Sequence, residues 1–224
     1  MEDNTKLSKR KAYLVPIIIM IVMGVVLFLP AGSLGFWEAW IYWAMFSLLT
    51  FFIAGYFLKK SPELLSRRMQ HGEKETVRKT PALLNLFFAG YVVPGLDFRF
   101  HWSVIPVWIV IVSDAIVFAG YVLIIFVFKE NSYASSVIQV GKEQQIITTG
   151  PYAIVRHPMY LGLLTMFLFT PLALGSYWAI IPFLLTVPMN IFRIRSEEEV
   201  LLRDLPGYRD YCSTTRYRLI PSVW

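Results

Sequence analysis

Apolar residues run along this chain in long blocks, and nearly all charge is gathered in the short stretches between them. Leu14 to Leu29 is almost unbroken Val, Ile, Leu and Met and reads as a first membrane span. After a tight loop from Pro30 to Gly35, Phe36 to Leu58 forms a second span, entered through an interfacial cluster of Trp37, Trp40 and Trp43. Lys59 to Thr80 is charged and extramembrane, with room for a short amphipathic helix. Pro81 to Leu96 is apolar but short for a crossing, which takes about 20 residues. A brief polar turn at Asp97 to Trp102 leads into a long span from Val104 to Phe128, and Lys129 to Thr149 is a polar connector. Leu161 to Phe192 is too long for one upright helix and is interrupted by Pro171, Gly175, Pro182 and Pro188. It reads as two linked helices turning near Leu174 to Tyr177, or as one kinked helix. Arg193 to Tyr211 predicts an amphipathic helix at the same surface as the polar stretch from Gly150 to Gly162.

The expected fold is all-α: a polytopic integral membrane helix bundle of five to six spans with a cytoplasmic C-terminal amphipathic helix. Composition agrees, with 56% hydrophobic and only 16% charged residues, where a soluble domain has roughly 25% charged. The 224 residues allow one membrane domain, with N-terminal spans in 1–130 and a distinct C-terminal part in 141–224. The net charge of +6 does not point to nucleic acid, because the basic residues sit at the ends of apolar runs. Every Lys and Arg except Arg99 falls on one side of this topology, which makes that side cytoplasmic and places both termini and the Gly150 stretch there. The basic N-terminus resembles a signal peptide, but its apolar segment is long and further spans follow, so it reads as a retained helix. Cys212 is the single cysteine, and His71, His101 and His157 lie in separate segments, so no disulfide or metal site is expected. Oligomeric state leaves no mark in the sequence.

Candidate chemistry lies in two polar patches. In Gly150-Pro-Tyr-Ala-Ile-Val-Arg-His-Pro-Met-Tyr-Leu-Gly162, Pro158 suits the first position of a helix, with His157 at the cap. The free amides of that first turn, with Arg156 beside them, would favour a carboxylate or phosphate. In Arg193-Ile-Arg-Ser-Glu-Glu-Glu199, Glu198 falls on a stripe with Ile194, Leu201 and Leu205, where a carboxylate is costly unless paired. Glu197 and Arg193 have the spacing of a helical ion pair. Asp114 lies mid-span, where the plainest role is an interhelical hydrogen bond through Ser113 or a neighbour.

Together, Gly150-Pro-Tyr-x-x-x-Arg-His-Pro-x-Tyr-x-Gly162, Arg193-x-x-x-Glu-Glu198, Leu205-Pro-Gly-Tyr-x-x-Tyr211 and Arg218-Leu-Ile-Pro221 resemble the isoprenylcysteine carboxyl methyltransferase family. The related phospholipid N-methyltransferases share parts of the pattern. The resemblance covers residues 141 to 224 and implies a membrane methyltransferase using S-adenosyl-L-methionine. It implies that Tyr152, His157, Pro158, Tyr160 and Gly162 line the cofactor, with Gly162 allowing close approach to the helix. Glu197 and Glu198 would approach its amino or ribose groups, and Tyr208 and Tyr211 would close the pocket. Arg156 and Arg193 become candidates for holding an anionic acceptor, since guanidinium grips a carboxylate with two parallel bonds. The partner so implied is a lipophilic or prenylated acceptor in the membrane lipid. Methylation of a prenylcysteine-like carboxylate leads, N-methylation of a lipid amine or S-methylation of a thiol follows, and non-catalytic binding of a lipid anion is the alternative of another class. A carboxylate needs no general base, whereas an amine or thiol would call on His157 or Glu198.

Overall fold

The computed structural model describes residues 9–69, 74–134, 138, 140–141 and 144–224, and every regular element among them is helical. In order these are α1 (Lys9–Ala31), α2 (Trp37–Lys60), α3 (Pro62–Met69), α4 (Lys74–Phe100), α5 (Val107–Glu130), a 3-10 turn (Gly150–Ala153), α6 (Pro158–Ala173), α7 (Ile180–Leu184), α8 (Thr186–Asp204) and α9 (Tyr208–Thr214). Among the described residues, α1, α2 and α5 are long and apolar enough to cross a membrane, and α6 is a shorter apolar helix. Residues 1–8, His71 and Lys142 lie outside the described residues.

Hydrophobic periodicity is weak because the long helices are apolar on most sides, so close approach is set by glycines and polar staples. α1 and α2 form a hairpin whose turn needs Gly32 in the left-handed region, with its amide donating back to Phe28 and Leu29. Trp43, expected at the interface, donates its indole N–H to the Met20 carbonyl at 2.9 Å and so ties α2 to α1. The Tyr42 hydroxyl of α2 meets Tyr91 of α4 at 2.8 Å and Thr170 of α6 at 3.0 Å, joining three helices in the core. Gly120 and Gly162 face each other between α5 and α6: a Cβ on Gly162 would lie 2.9 Å from Ile124 Cγ1 and 3.0 Å from the Gly120 carbonyl oxygen. Small residues of this kind let membrane helices touch backbone to backbone.

Several expectations change. The third apolar stretch is the inner part of a 27-residue helix, because the polar residues before Pro81 continue the same helix. Asp97 lies in the last turns of α4 and is buried, not in a solvated turn. Its oxygens accept the Ser103 amide and hydroxyl, both at 2.7 Å, and the Ser176 hydroxyl. This bond set fastens the end of α4 to the loop ahead of α5 and to the turn after α6. Among the described residues Asp114 has no bond to Ser113 or to another helix, and both of its oxygens are buried without a partner there. Ser113 is one position away, and adjacent helical residues point about 100° apart.

The chain does turn back at Leu174–Ala179, where Gly175 adopts a positive φ, as the two-helix reading expects. The returning helix does not stop at the polar boundary. α8 carries on through Arg193 to Asp204, so the amphipathic segment is the outer half of the returning helix, followed after Gly207 by the short α9. That continuity brings Glu197 and Glu198 back to the level of the Gly150 stretch.

Candidate active site

The polar stretch begins with a turn that requires glycine. Gly150 has a φ of 58°, and a Cβ there would lie 2.8 Å from Glu130 Cγ. Glu130, at the end of α5, accepts the Thr149 hydroxyl at 2.7 Å, and Asn131 donates to the Tyr152 hydroxyl at 2.8 Å. Pro158 opens α6 with His157 at its cap. Just before it, the chain pairs with the C-terminal segment: the amides of Arg156 and His157 donate to the carbonyls of Tyr217 and Arg218, both at 2.9 Å.

Glu198 is the hub of the scaffold. Arg156 Nε lies 2.7 Å from Oε1, His157 Nε2 lies 3.3 Å from the same oxygen, and Arg218 Nε bonds Oε2. Arg156 also donates through Nη1 to the carbonyls of Thr215 at 2.9 Å and Arg216 at 2.7 Å. Burial pulls the Glu198 carboxyl upward, but the bonds from His157, Arg156 and Arg218 outweigh it and hold the group at about 2. The misplaced carboxylate on an apolar stripe is thus fully paired, as a buried charge must be.

A cleft open to solvent lies beside this hub. Tyr152, Arg156, His157, Pro158, Tyr160, Glu197, Tyr208 and Tyr211 all border it. The Tyr160 hydroxyl donates to Glu197 Oε2 at 2.7 Å and accepts from Arg193 Nε at 2.9 Å, bridging the two residues that helical spacing alone would have paired. Tyr211 donates to the Tyr152 carbonyl at 2.7 Å, seating α9 on the 3-10 turn. The Tyr208 hydroxyl is buried with no partner among the described residues. Burial pushes the phenols of Tyr152 and Tyr208 well up, and that of Tyr211 to about 12, so each keeps its proton at neutral pH.

Three of the expected site residues are placed differently from the rest. Glu198 does not border the cleft, because its oxygens are turned to three nitrogen donors. Gly162 does not border it either; its small size is used against α5. Arg156 borders the cleft, but its guanidinium is directed to Glu198 and two carbonyls, which makes it a staple for the C-terminal segment.

Other residues were missed in the sequence. Gln144, Gln145, Ile146 and Ile147 of the connector form one wall of the cleft. The apolar pair inside a polar connector was the available signal. Arg218, part of the Arg218-Leu-Ile-Pro221 motif but given no site role from the sequence, is a partner of the hub. Arg68 of α3 reaches Met159 of the polar stretch, Nη1 to Sδ 3.5 Å, and nothing in the spacing of the N-terminal half announced it.

Comparison with known proteins shows what this helical bundle and its cleft are similar to. Residues 108–206 match the phospholipid methyltransferase family. The match begins within α5, well before residue 141, and ends ahead of Gly207, so Tyr208, Tyr211 and Arg218 lie beyond it. The fold is similar to that of the eukaryotic intramembrane Ras methyltransferase, isoprenylcysteine carboxyl methyltransferase. The TM-score is 0.57 and the sequences are 21% identical, over 90% of this chain and 74% of that one. No curated protein matches the sequence significantly. The resemblance read from the C-terminal motifs is thereby borne out, with a fold likeness that extends over the N-terminal helices too.

Proposed function

We propose that this protein is an S-adenosyl-L-methionine-dependent integral membrane methyltransferase of a lipophilic acceptor, with carboxyl O-methylation of a prenylcysteine-like molecule as its activity. The observation that carries the reading is the cleft itself: five tyrosines, the Glu197 carboxylate and a buried Tyr208 hydroxyl with no partner among the described residues converge in one space. A cationic sulfonium suits aromatic faces, and an amino acid and ribose suit a carboxylate and a phenol donor.

When bound, the cofactor supplies an electrophilic methyl group on sulfur. The protein's part is to hold, align and dry the site, since methyl transfer to an existing carboxylate needs no proton removed. Tyr152, Tyr160, Tyr208 and Tyr211 present ring faces, Tyr208 also offers its hydroxyl, and Glu197 holds the polar end. His157 and Arg156 act through Glu198 to keep the Gly150 stretch and the C-terminal segment in register. Of the two arginines first considered for the acceptor, Arg193 keeps that assignment.

A second reading, N-methylation of a lipid amine, is favoured by the match to the phospholipid methyltransferase family. It would need a base, and Glu198, held at about 2, is too weak for that role. His157, which borders the cleft, remains for it. In this proposal the chain is one membrane unit of 1–224, α4 and the α6–α8 hairpin complete a bundle of five to six spans, and the cleft and both termini face the cytoplasm.

The test is calorimetric binding of S-adenosyl-L-methionine to purified protein, followed by labelled-methyl transfer to prenylcysteine mimics and to lipid extracts. Wild type should bind, and Glu197→Gln should weaken binding several-fold. Absence of binding by wild type would end the proposal. Label appearing only in amine lipids would replace the carboxylate by the second reading.

A further inference from the structure

α3 is an eight-residue helix with Leu64 fully buried on one face and Arg67 and Arg68 in its last turn. Arg67 reaches the end of α5, where Nη1 donates to the Ser132 carbonyl at 2.9 Å and the guanidinium lies 4.8 Å from the Tyr133 ring centre. Arg68 turns the other way. Its guanidinium sits 5.3 Å from the Phe128 ring centre, contacts Met159 Sδ, and comes within electrostatic reach of Tyr160, Arg193, Glu197 and Tyr152.

Met159 and Tyr160 border the cleft, whereas neither Arg68 nor Arg193 does. Arg68 contacts Met159 and Arg193 bonds Tyr160, so guanidinium groups contributed by opposite halves of the chain approach the two residues at the edge of the cleft. Arg193 Nε donates to the Tyr160 hydroxyl at 2.9 Å, and Arg68 lies against Met159, the residue before it. Guanidinium stays charged when partly buried against an aromatic ring, and it presents a fork matched to two oxygens of an oxyacid.

Resting on the methyltransferase reading, we propose that Arg68 joins Arg193 as the second prong of a seat for the oxyanion of the acceptor. The chemistry recognised is a carboxylate on a prenylated thioether or the phosphodiester of a phospholipid. The seat adjoins the cofactor cleft at Met159 and Tyr160, so that the acceptor oxygen and the donor share one space. Arg68 comes from α3, so the N-terminal half of the chain supplies an acceptor-binding residue and not only membrane packing.

The test uses the full chain in lipid nanodiscs and a fluorescent S-prenyl-N-acetylcysteine, as the free acid and as its carboxamide. Wild type should bind the acid about tenfold more tightly than the carboxamide, the scale of a charge-assisted bidentate contact. Arg68→Gln should bring that preference close to one, Arg68→Lys should restore part of it, and Glu63→Gln, on the exposed side of α3, should leave it unchanged. If Arg68→Gln keeps the preference, or weakens acid and carboxamide alike, Arg68 only anchors α3 and the inference is overturned. Phosphatidylethanolamine added to the nanodiscs separates the two sources: competition with the acid in wild type but not in Arg68→Gln assigns the phosphodiester, and no competition assigns the carboxylate. Cofactor affinity measured on the same samples reports on the methyltransferase reading alone, because the acid–carboxamide comparison needs no cofactor.

Discussion

Replacing Glu198 by glutamine tests the hub with little change of shape. The carboxylate is held at about 2, compared with 4.5 for a free glutamate side chain, despite burial that acts in the opposite sense. A depressed carboxylate pKa contributes stability that is complete above the unfolded value and is lost as pH falls through the folded value. The difference corresponds to about 3 kcal/mol at neutral pH, at about 1.4 kcal/mol per unit. That agrees with the roughly 3–5 kcal/mol lost when one member of a buried ion pair is removed. Side-chain exposure places most of the loss on Arg156, at 7%, since Arg218 is 37% exposed and can return to water. For a chain of this length, Glu198→Gln should melt roughly 6–12 °C below wild type at pH 7. Thermal unfolding in detergent from pH 7 down to pH 2.5 provides the measurement. The gap between the proteins should be full above pH 4.5 and narrow as the wild type protonates toward pH 2, because the glutamine variant has no proton to gain. Melting within about 2 °C of wild type at pH 7, or a gap that does not change with pH, would refute the argument.

Gly162→Ala should destabilise by about 1–3 kcal/mol through overpacking of α5 against α6, while cofactor affinity of the folded protein stays unchanged; weaker binding without a lower melting temperature would return Gly162 to the cleft. Tyr208→Phe removes a buried hydroxyl with no partner among the described residues, so melting without ligand should not fall, whereas S-adenosyl-L-methionine binding should weaken about fivefold, the value of one hydrogen bond. Equal affinity measured by calorimetry would show that the hydroxyl does not meet the cofactor. Asp97→Ala should cost about 3 kcal/mol, because Ser103 and Ser176 both lose their acceptor, and Ser176→Ala should show part of that loss in the same unfolding assay.

The chain's own order of apolar and polar blocks determined its all-helical class, the reversal near Leu174, and the placement of Pro158 at a helix start. These features are local: length, proline and glycine positions, and the cost of leaving backbone unpaired in lipid act within one segment. The residues bordering the cleft were also legible where motif and chemistry coincide, as at Tyr152, His157, Tyr160, Glu197, Tyr208 and Tyr211. Spacing on one helix could not decide which oxygen of which carboxylate meets which nitrogen. Glu197 and Glu198 are neighbours in sequence, yet one faces the cleft and the other is closed within the hub, because α8 turns them about 100° apart and Arg218 arrives from beyond α9. Gly162 carries the same lesson: its freedom from a side chain is used by α5, a contact between helices that no pattern in either helix announces. Arg68 is the farthest case. Its place beside Tyr160 depends on α3 folding back over the end of α5, and only tertiary packing could bring those two ends of the chain together.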